Sequence, residues 1–357
     1  MKLNFIRLRD FRNVEFAEIG FGGACAWING ANAQGKTNLL EAVAFVGTLR
    51  SFRTSSPEVM LRRGAKSAGI LAQVEIGAGV SDIELSFGAE KSTLVDGENV
   101  AKISDYLGRF PTLAITNEDV KLLRGAPEIR RRDVDMFVSS IDSGYFDVLR
   151  RYHRALLQRN KLLKEDSPDP ALFDAFENEM ALSAFEVLQT RKERLGELGE
   201  IASEKYRAIA GETAESATLN LKPSYDADSV DGFRELFRAC READFERRFT
   251  QKGVHRDDYR IFIDDKDAKL YASEGQQKSA AIAIRLAQFE LAKKRLRTEP
   301  LMLCDDILGE LDAARRGAFW RCVSPTAQVI ATSTDSPPES DIDWRFINVS
   351  NGVFTNA

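Results

Sequence analysis

Trp27-Ile28-Asn29-Gly30-Ala31-Asn32-Ala33-Gln34-Gly35-Lys36-Thr37-Asn38-Leu39-Leu40-Glu41-Ala42 decides how the rest of the chain is read. The apolar run from Ala24 to Ile28 predicts a short buried strand, and Leu39, Leu40, Val43 and Phe45 recur at helical spacing beyond it. Between them, Gly30 to Thr37 fits Gly, four residues, Gly-Lys-Thr. In a loop of this kind the backbone N–H groups from Gly30 to Gly35 cradle a triphosphate, the Lys36 ammonium neutralises its charge, and the Thr37 hydroxyl holds Mg²⁺. The helix that opens at Lys36, Thr37 and Asn38 aims the positive end of its dipole at the same anion. Gly30 through Asn38 are therefore the candidate nucleotide contacts.

At 357 residues the chain is long enough for a large core divided into two lobes. Charged residues make up 29% of it, and no apolar run approaches the about 18 residues that cross a bilayer. Met1-Lys2-Leu3-Asn4-Phe5-Ile6-Arg7 carries charge from its start and no small-residue cleavage site, so no secretory leader is expected. A cytoplasmic protein without a membrane partner follows. Cys25, Cys240, Cys304 and Cys322 are scattered, with no Cys-x-x-Cys, and the only histidines are His153 and His255. Reduced core thiols are expected and a zinc site is not. The net charge of −5 excludes a uniformly basic nucleic-acid binder but leaves local basic faces open.

Leu3 to Arg12 alternates as a half-buried strand. After the loop's helix, Ile70 to Ile76 and Asp82 to Phe87 alternate again, with turns at Gly77-Ala78-Gly79 and Asp96-Gly97, which predicts a small antiparallel sheet. Pro111 to Thr116 reads as a buried strand ending at Asn117-Glu118-Asp119. From about Glu128 to Ala210 the period is helical, with Phe146, Leu149, His153, Leu156 and Leu163 on one stripe, which places His153 in packing rather than at a metal. Ser167-Pro168-Asp169-Pro170 breaks the run before a second helix bearing Phe185, Leu188, Leu195, Leu198 and Ala202, so a short antiparallel helical arm is expected. Strand and helix then alternate from near Arg248. The expected fold is α/β: a nucleotide lobe from residues 1–125 and 248–357, with a helical lobe, 126–247, inserted.

Leu301-Met302-Leu303-Cys304-Asp305-Asp306 is an apolar run ending in two acids. A buried strand that delivers a carboxylate at its C-terminal edge is where the Mg²⁺ partner of Thr37 should lie, and Asp305 is the candidate. Asp306, one residue on, is the candidate to orient or deprotonate attacking water. Tyr271-Ala272-Ser273-Glu274-Gly275-Gln276-Gln277-Lys278-Ser279 opens the helix before this strand. Ser-x-Gly-Gln-Gln in that place resembles the signature of ABC-type ATPases, and Glu310-Leu311-Asp312 resembles their D-loop. The resemblance implies that ATP joins a two-fold dimer in which Ser273, Gly275 and Gln276 of one copy, with Asp312 nearby, close over the γ-phosphate held by the other copy's loop.

Within that class the chain resembles the RecF family of recombination mediators. Leu8-Arg9-Asp10-Phe11-Arg12-Asn13, Ser51-Phe52-Arg53-Thr54, Glu118-Asp119 leading to Arg130-Arg131-Arg132-Asp133, and His255-Arg256-Asp257-Asp258 follow its blocks in order. Ala33 stands where the family commonly has glycine, Glu274 where it often has a basic residue, and Thr332-Ser333-Thr334 where many ABC ATPases have a histidine. The resemblance implies a slow, DNA-stimulated ATPase acting as a switch in replication and recombinational repair. It further implies that an ATP-bound homodimer clamps duplex or gapped DNA near the nucleoid and works with RecR and RecO to load recombinase. The alternative is another soluble ABC-type ATPase, of defence or chromosome maintenance; no Asn-Lys-x-Asp supports a GTPase. Candidate DNA contacts are Arg53, Arg62 and Arg63 on the nucleotide lobe and Arg150, Arg151 and Arg154 on the helical lobe, joined by Arg50, Lys66, Arg159 and Lys161. Nothing resembles a base-reading helix, so binding should be through phosphates and insensitive to sequence.

Overall fold

The first strand shows how alternation and irregularity share one segment. β1 (Lys2–Phe11) buries Leu3, Ile6, Leu8 and Phe11: a register shift between Leu3 and Phe5 moves the inward phase by one residue, and Asp10, at φ 51°, precedes a second change at Phe11. It pairs with β2 (Val14–Gly20) in a hairpin. β3 (Cys25–Asn29) leads into the loop and α1 (Lys36–Thr48). β4 (Ser67–Ile76) returns along β1, followed by β5 (Gly79–Gly88), β6 (Ser92–Val95) and β7 (Glu98–Asn99). The turn between β6 and β7 has Asp96 and Gly97 at φ 55° and 79°, as a tight hairpin requires. The expected antiparallel sheet thus has six strands, ordered β2-β1-β4-β5-β6-β7, two of them from before the nucleotide loop.

β8 (Thr112–Thr116) and the short α2 (Lys121–Arg124) precede α3 (Pro127–Ile141), α4 (Ser143–Leu162) and α5 (Pro170–Ala210). Asp169 caps α5 by accepting from the Ala171 amide, with Pro170 at the first helical position. β9 (Ala217–Lys222), α6 (Val230–Ala239) and α7 (Arg241–Arg247) follow. β10 (Asp258–Ile263), β11 (Lys266–Asp267), α8 (Ala268–Tyr271) and α9 (Glu274–Leu296) come next. The chain closes with β12 (Leu301–Asp305), α10 (Ala313–Cys322), β13 (Val329–Ser333), β14 (Trp344–Ser350) and β15 (Val353–Asn356). This computed structural model describes residues 1–54, 56–89, 91–211, 215–306, 311–334, 337 and 342–356. No helix among them is long and apolar enough to cross a membrane.

The sheet that positions the site runs β15-β14-β3-β13-β12-β8, parallel throughout except for β15. Its central strands β3, β13 and β12 are buried along nearly their whole length because both faces are covered. Met302 and Cys304 of β12 enter the core beneath α9 and α5, while Leu301 and Leu303 enter the core shared with α1 and the antiparallel sheet. Loop strand β3 and acid strand β12 flank β13, so all three C-terminal ends meet at one sheet edge, where ligands of open α/β sheets bind.

α4 and α5 form the expected antiparallel pair, tied by Arg151 to Glu186 and Arg159 to Glu177. Over its second half α5 lies antiparallel to α9, through Lys205 to Glu290 and Arg295 to Glu197. A helix of 41 residues, roughly 60 Å long at 1.5 Å per residue, is therefore packed along much of its length rather than projecting alone. β9, from the expected helical segment, pairs along its whole length with β10 from the returning segment.

Two readings of α4 require correction. His153 is exposed, and the inward stripe is Tyr145, Tyr152, Ala155, Leu156, Arg159 and Leu162. The expected stripe shares Leu156 with it, and Leu163 is also buried, but His153 falls off it, because an arginine takes the next inward place. Arg159 is fully buried, bonded to Glu177 at 3.0 Å, Asp244 at 2.7 Å and Thr250 at 2.7 Å, and is withdrawn from any surface basic face. Similar buried arginines account for several family-like blocks: Arg191 joins Asp135 and Asp257, Arg130 joins Asp258, and Arg285 joins Asp119 and Asp133. Each ion would be costly to bury without its partner.

Candidate nucleotide site

β3 delivers Gly30 beneath β14, where an added Cβ would lie 2.6 Å from the Val349 carbonyl oxygen. Only glycine allows that approach. At the other end Gly35 has φ 119°, which admits glycine alone without strain, and α1 begins at the next residue. Ala33, in the place where the family commonly has glycine, sits at φ 65°, so its Cβ carries a conformational cost of about 1 kcal/mol. The loop is held from two sides. Asn351 and Gly352, in the turn between β14 and β15, donate their amides to Gln34 Oε1 at 2.6 Å and Gln34 O at 2.8 Å. Asn13, between β1 and β2, donates to the same carbonyl at 3.3 Å and accepts from the Asn38 side chain at 2.7 Å.

Lys36 is only 6% exposed, and its ammonium donates to the carbonyls of Gly30 and, at 3.3 Å, Ala31. It lies curled over the loop, with its charge satisfied by groups that a phosphate oxygen would replace. Glu41, wholly buried on the inner face of α1, accepts from Arg12 at 2.8 and 2.6 Å, from Ser51, and from Arg53 at 3.3 Å. Arg53 also donates to Asn38 Oδ1 at 2.8 Å.

At the ends of the neighbouring strands, Thr37 Oγ1 donates to Asp305 Oδ1 at 2.9 Å. The sequence separates these residues by 268 positions; the parallel order of β3, β13 and β12 brings them together. Burial pushes the Asp305 carboxyl above the usual carboxylate range, opposed by hydrogen bonds from Thr332 and Thr37. A hydroxyl and a carboxylate are hard oxygen donors, which suit Mg²⁺: that ion takes one or two protein oxygens and completes its shell with phosphate and water. Asp306 turns off the strand with φ 50°, its amide donating to Thr332 Oγ1 at 3.1 Å.

Ser273 caps α9. It accepts from the Gln276 amide at 3.3 Å, while the Gln276 side chain accepts from the Ser273 amide at 2.8 Å. Gln276 also donates to Glu215 at 3.0 Å. The Arg315 guanidinium lies against Gly275, so a Cβ there would have to displace it. Asp312 caps α10 by accepting from the Arg315 amide at 2.9 Å, so the signature and the D-loop-like segment share Arg315. Glu310 lies outside the described residues. Glu274 is exposed and pairs with Lys278 at 3.2 Å, one turn along the helix, which answers part of its charge. The loop is bonded by Asn13, Arg53, Asn351, Gly352 and Asp305, and the signature by Arg124, Ala268 and Glu215, with Arg315 against Gly275.

The basic residues sort into different settings. Arg53 faces the loop through Asn38 and Glu41. Arg62 pairs with Asp10 and Glu15, and Arg151 with Glu186. Arg63, Arg150 and Arg154 are exposed on the two lobes. Asn13, Asn351, Gly352 and Glu41 were not anticipated as supports of the loop. Asn351-Gly352 is a strong hairpin signal that would have predicted the β14–β15 turn; Asn13 closes the Leu8–Asn13 block and Glu41 stands in the helix after the loop, but their partners are not encoded locally.

The model of the family described as RecF/RecN/SMC N terminal domain matches residues 2–349. The DNA replication and repair protein RecF of Lactobacillus delbrueckii subsp. bulgaricus is 32% identical over 347 residues, 94% of this chain and 91% of that one. The RecF of Symbiobacterium thermophilum is 33% identical over 349 residues, 94% and 92% of the two chains. Among solved structures, the recombination mediator protein RecF with ATP, of the RecFOR pathway, superposes with a TM-score of 0.92 at 25% identity, covering 100% of this chain and 97% of that one. The Smc head domain from Pyrococcus furiosus, 17% identical with a TM-score of 0.54 over 100% and 96% of the two chains, shares the fold. The chain belongs to the RecF family of DNA replication and repair proteins and has the ABC-type ATPase head that this family shares with SMC proteins.

Proposed function

We propose that this chain is an ATP-driven DNA clamp of recombinational repair, acting with RecR and RecO at single-strand gaps. The observation that carries the reading is the pairing of Thr37 with Asp305 at 2.9 Å in one place, while the signature helix presents Ser273 with an entirely different set of partners. That arrangement suits two half-sites, completed when a second copy closes over the first. The nucleotide lobe is formed by residues 1–125 and 248–357, and the helical lobe by 126–247. ATP binds in the Gly30–Asn38 cradle, and Lys36 leaves the loop carbonyls to meet its phosphates. Thr37 and Asp305 would hold Mg²⁺, which neutralises charge on the β- and γ-phosphate oxygens. Ser273, the Gly275 and Gln276 amides and Asp312 of the second copy close the far side. Asp306 accepts a proton from the attacking water.

DNA enters the cleft between two copies and is held by its phosphates. Arg63, Arg150 and Arg154 are better placed for this than Arg62 and Arg151, which are engaged in exposed ion pairs, or Arg53, which faces the nucleotide loop. Slow hydrolysis opens the dimer and releases the duplex.

Asp306→Asn tests the switch. It removes the proton acceptor while keeping the shape, and turnover is expected to fall by about 100-fold, the lower range for loss of a general base. Gapped-duplex affinity in Mg-ATP should then persist through a time course in which the wild-type signal decays. Equal affinity of the variant for gapped duplex in ATP and in ADP would contradict the clamp.

A further inference from the structure

We infer that Thr332 is a positioning residue of the nucleotide site, whose hydroxyl orients Asp305 toward Mg²⁺ and ties the backbone of Asp306 to the same point. The inference rests on the proposed reading of Thr37 and Asp305 as metal ligands. Thr332 lies on β13 between the two strands that carry the site, in register with Ile28 of β3 and Asp305 of β12. It is 1% exposed. Its Oγ1 donates to Asp305 Oδ1 at 2.9 Å and accepts from the Asp306 amide at 3.1 Å. The Asp306 amide also reaches the Thr332 carbonyl at 3.3 Å, so side chain and backbone of one residue hold both acids.

A hydroxyl has one proton to give, and Thr332 gives it to Asp305. Thr37 donates to the same carboxylate oxygen, but as a metal ligand it would turn a lone pair to the cation instead. Thr332 then remains the protein donor that fixes the carboxylate plane. A β-branched side chain in a strand has few rotamers, which makes it a stiff support. The same hydroxyl anchors Asp306 as it turns into its left-handed conformation at φ 50°. Metal affinity and the placement of the proton acceptor therefore depend on one hydroxyl, on the strand between the loop and the two acids.

The test uses the full chain and a fluorescent ATP analogue, titrated in EDTA and then at stepped Mg²⁺ concentrations. Thr332→Val keeps the shape and removes the hydroxyl; Thr332→Ser keeps the hydroxyl; Thr332→Ala removes it without the second methyl, in case the valine variant does not fold. Valine and alanine are expected to raise the Mg²⁺ concentration at half-maximal tightening by about 10- to 100-fold, the usual effect of losing a group that orients a metal ligand. Binding in EDTA should stay at the wild-type level, and serine should restore the wild-type Mg²⁺ midpoint. An unchanged midpoint in valine and alanine, a serine variant as impaired as valine, or an equal loss of binding in EDTA would overturn the assignment. A wild-type protein whose nucleotide affinity ignored Mg²⁺ would instead overturn the metal-site reading itself.

Discussion

Lys36→Met is expected to weaken ATP binding by at least about two orders of magnitude, because charge-assisted hydrogen bonds contribute about 1.5–3 kcal/mol each and an ammonium over a triphosphate makes at least two. Methionine keeps the length of the stem, so the substitution removes charge and donors without opening the packing around a residue that is 6% exposed. The loop carbonyls of Gly30 and Ala31 lose their donor but lie at a surface loop where water can replace it. A calorimetric titration of each protein with ATP measures the effect directly. Affinity within threefold of wild type would remove Lys36, and with it the loop, from the nucleotide site.

Ser273→Arg is expected to leave ATP binding to a single chain within about threefold while weakening ATP-dependent dimerisation by at least about 100-fold, since a bulky cation at the closing surface acts as a built-in clash. The separation of effects follows from geometry: the contacts of the loop run to Asn13, Arg53, Asn351, Gly352 and Asp305, and Ser273 is not among them. Arginine also removes the N-cap of α9, at about 1 kcal/mol. Ser273→Ala is the matched control, losing the cap without adding bulk. Equilibrium sedimentation in Mg-ATP reads the dimer, and calorimetry reads the nucleotide. Normal dimerisation of the arginine variant would place the closing surface elsewhere.

The parts of the site legible in the sequence were those with a local pattern. The strand, loop and helix from Ala24 to Phe45 announce themselves by spacing, and Leu301 to Asp306 by an apolar run that ends in acid. The signature was legible by its resemblance to that of ABC-type ATPases, Ser-x-Gly-Gln-Gln; in the fold its Ser273 and Gln276 form a capping box. What was not legible depends on partners far along the chain. Gln34 meets Asn351 across 317 positions, and no periodicity near either one encodes that contact. Arg159 hid the true phase of α4, because an arginine on an inward stripe reads as a surface residue until Glu177 and Asp244 are seen around it. Arg53 was grouped with surface cations for the same reason, although Glu41 and Asn38 turn it toward the loop. Thr332 was noticed only as the residue type standing where many relatives of the wider class have a histidine; its double hydrogen bond is a property of the folded sheet.

On the proposed reading, the Gly30–Asn38 loop is half of a site that a second copy completes. Sedimentation velocity of the wild-type chain, at a fixed protein concentration with and without saturating Mg-ATP, tests it most directly, with turnover per chain followed over a dilution series of the same samples. A shift from one chain to two is expected on adding Mg-ATP, with specific ATPase activity that falls as dilution breaks the dimer. A chain that sediments alone at saturating Mg-ATP, with the same turnover per chain at every dilution, would contradict it.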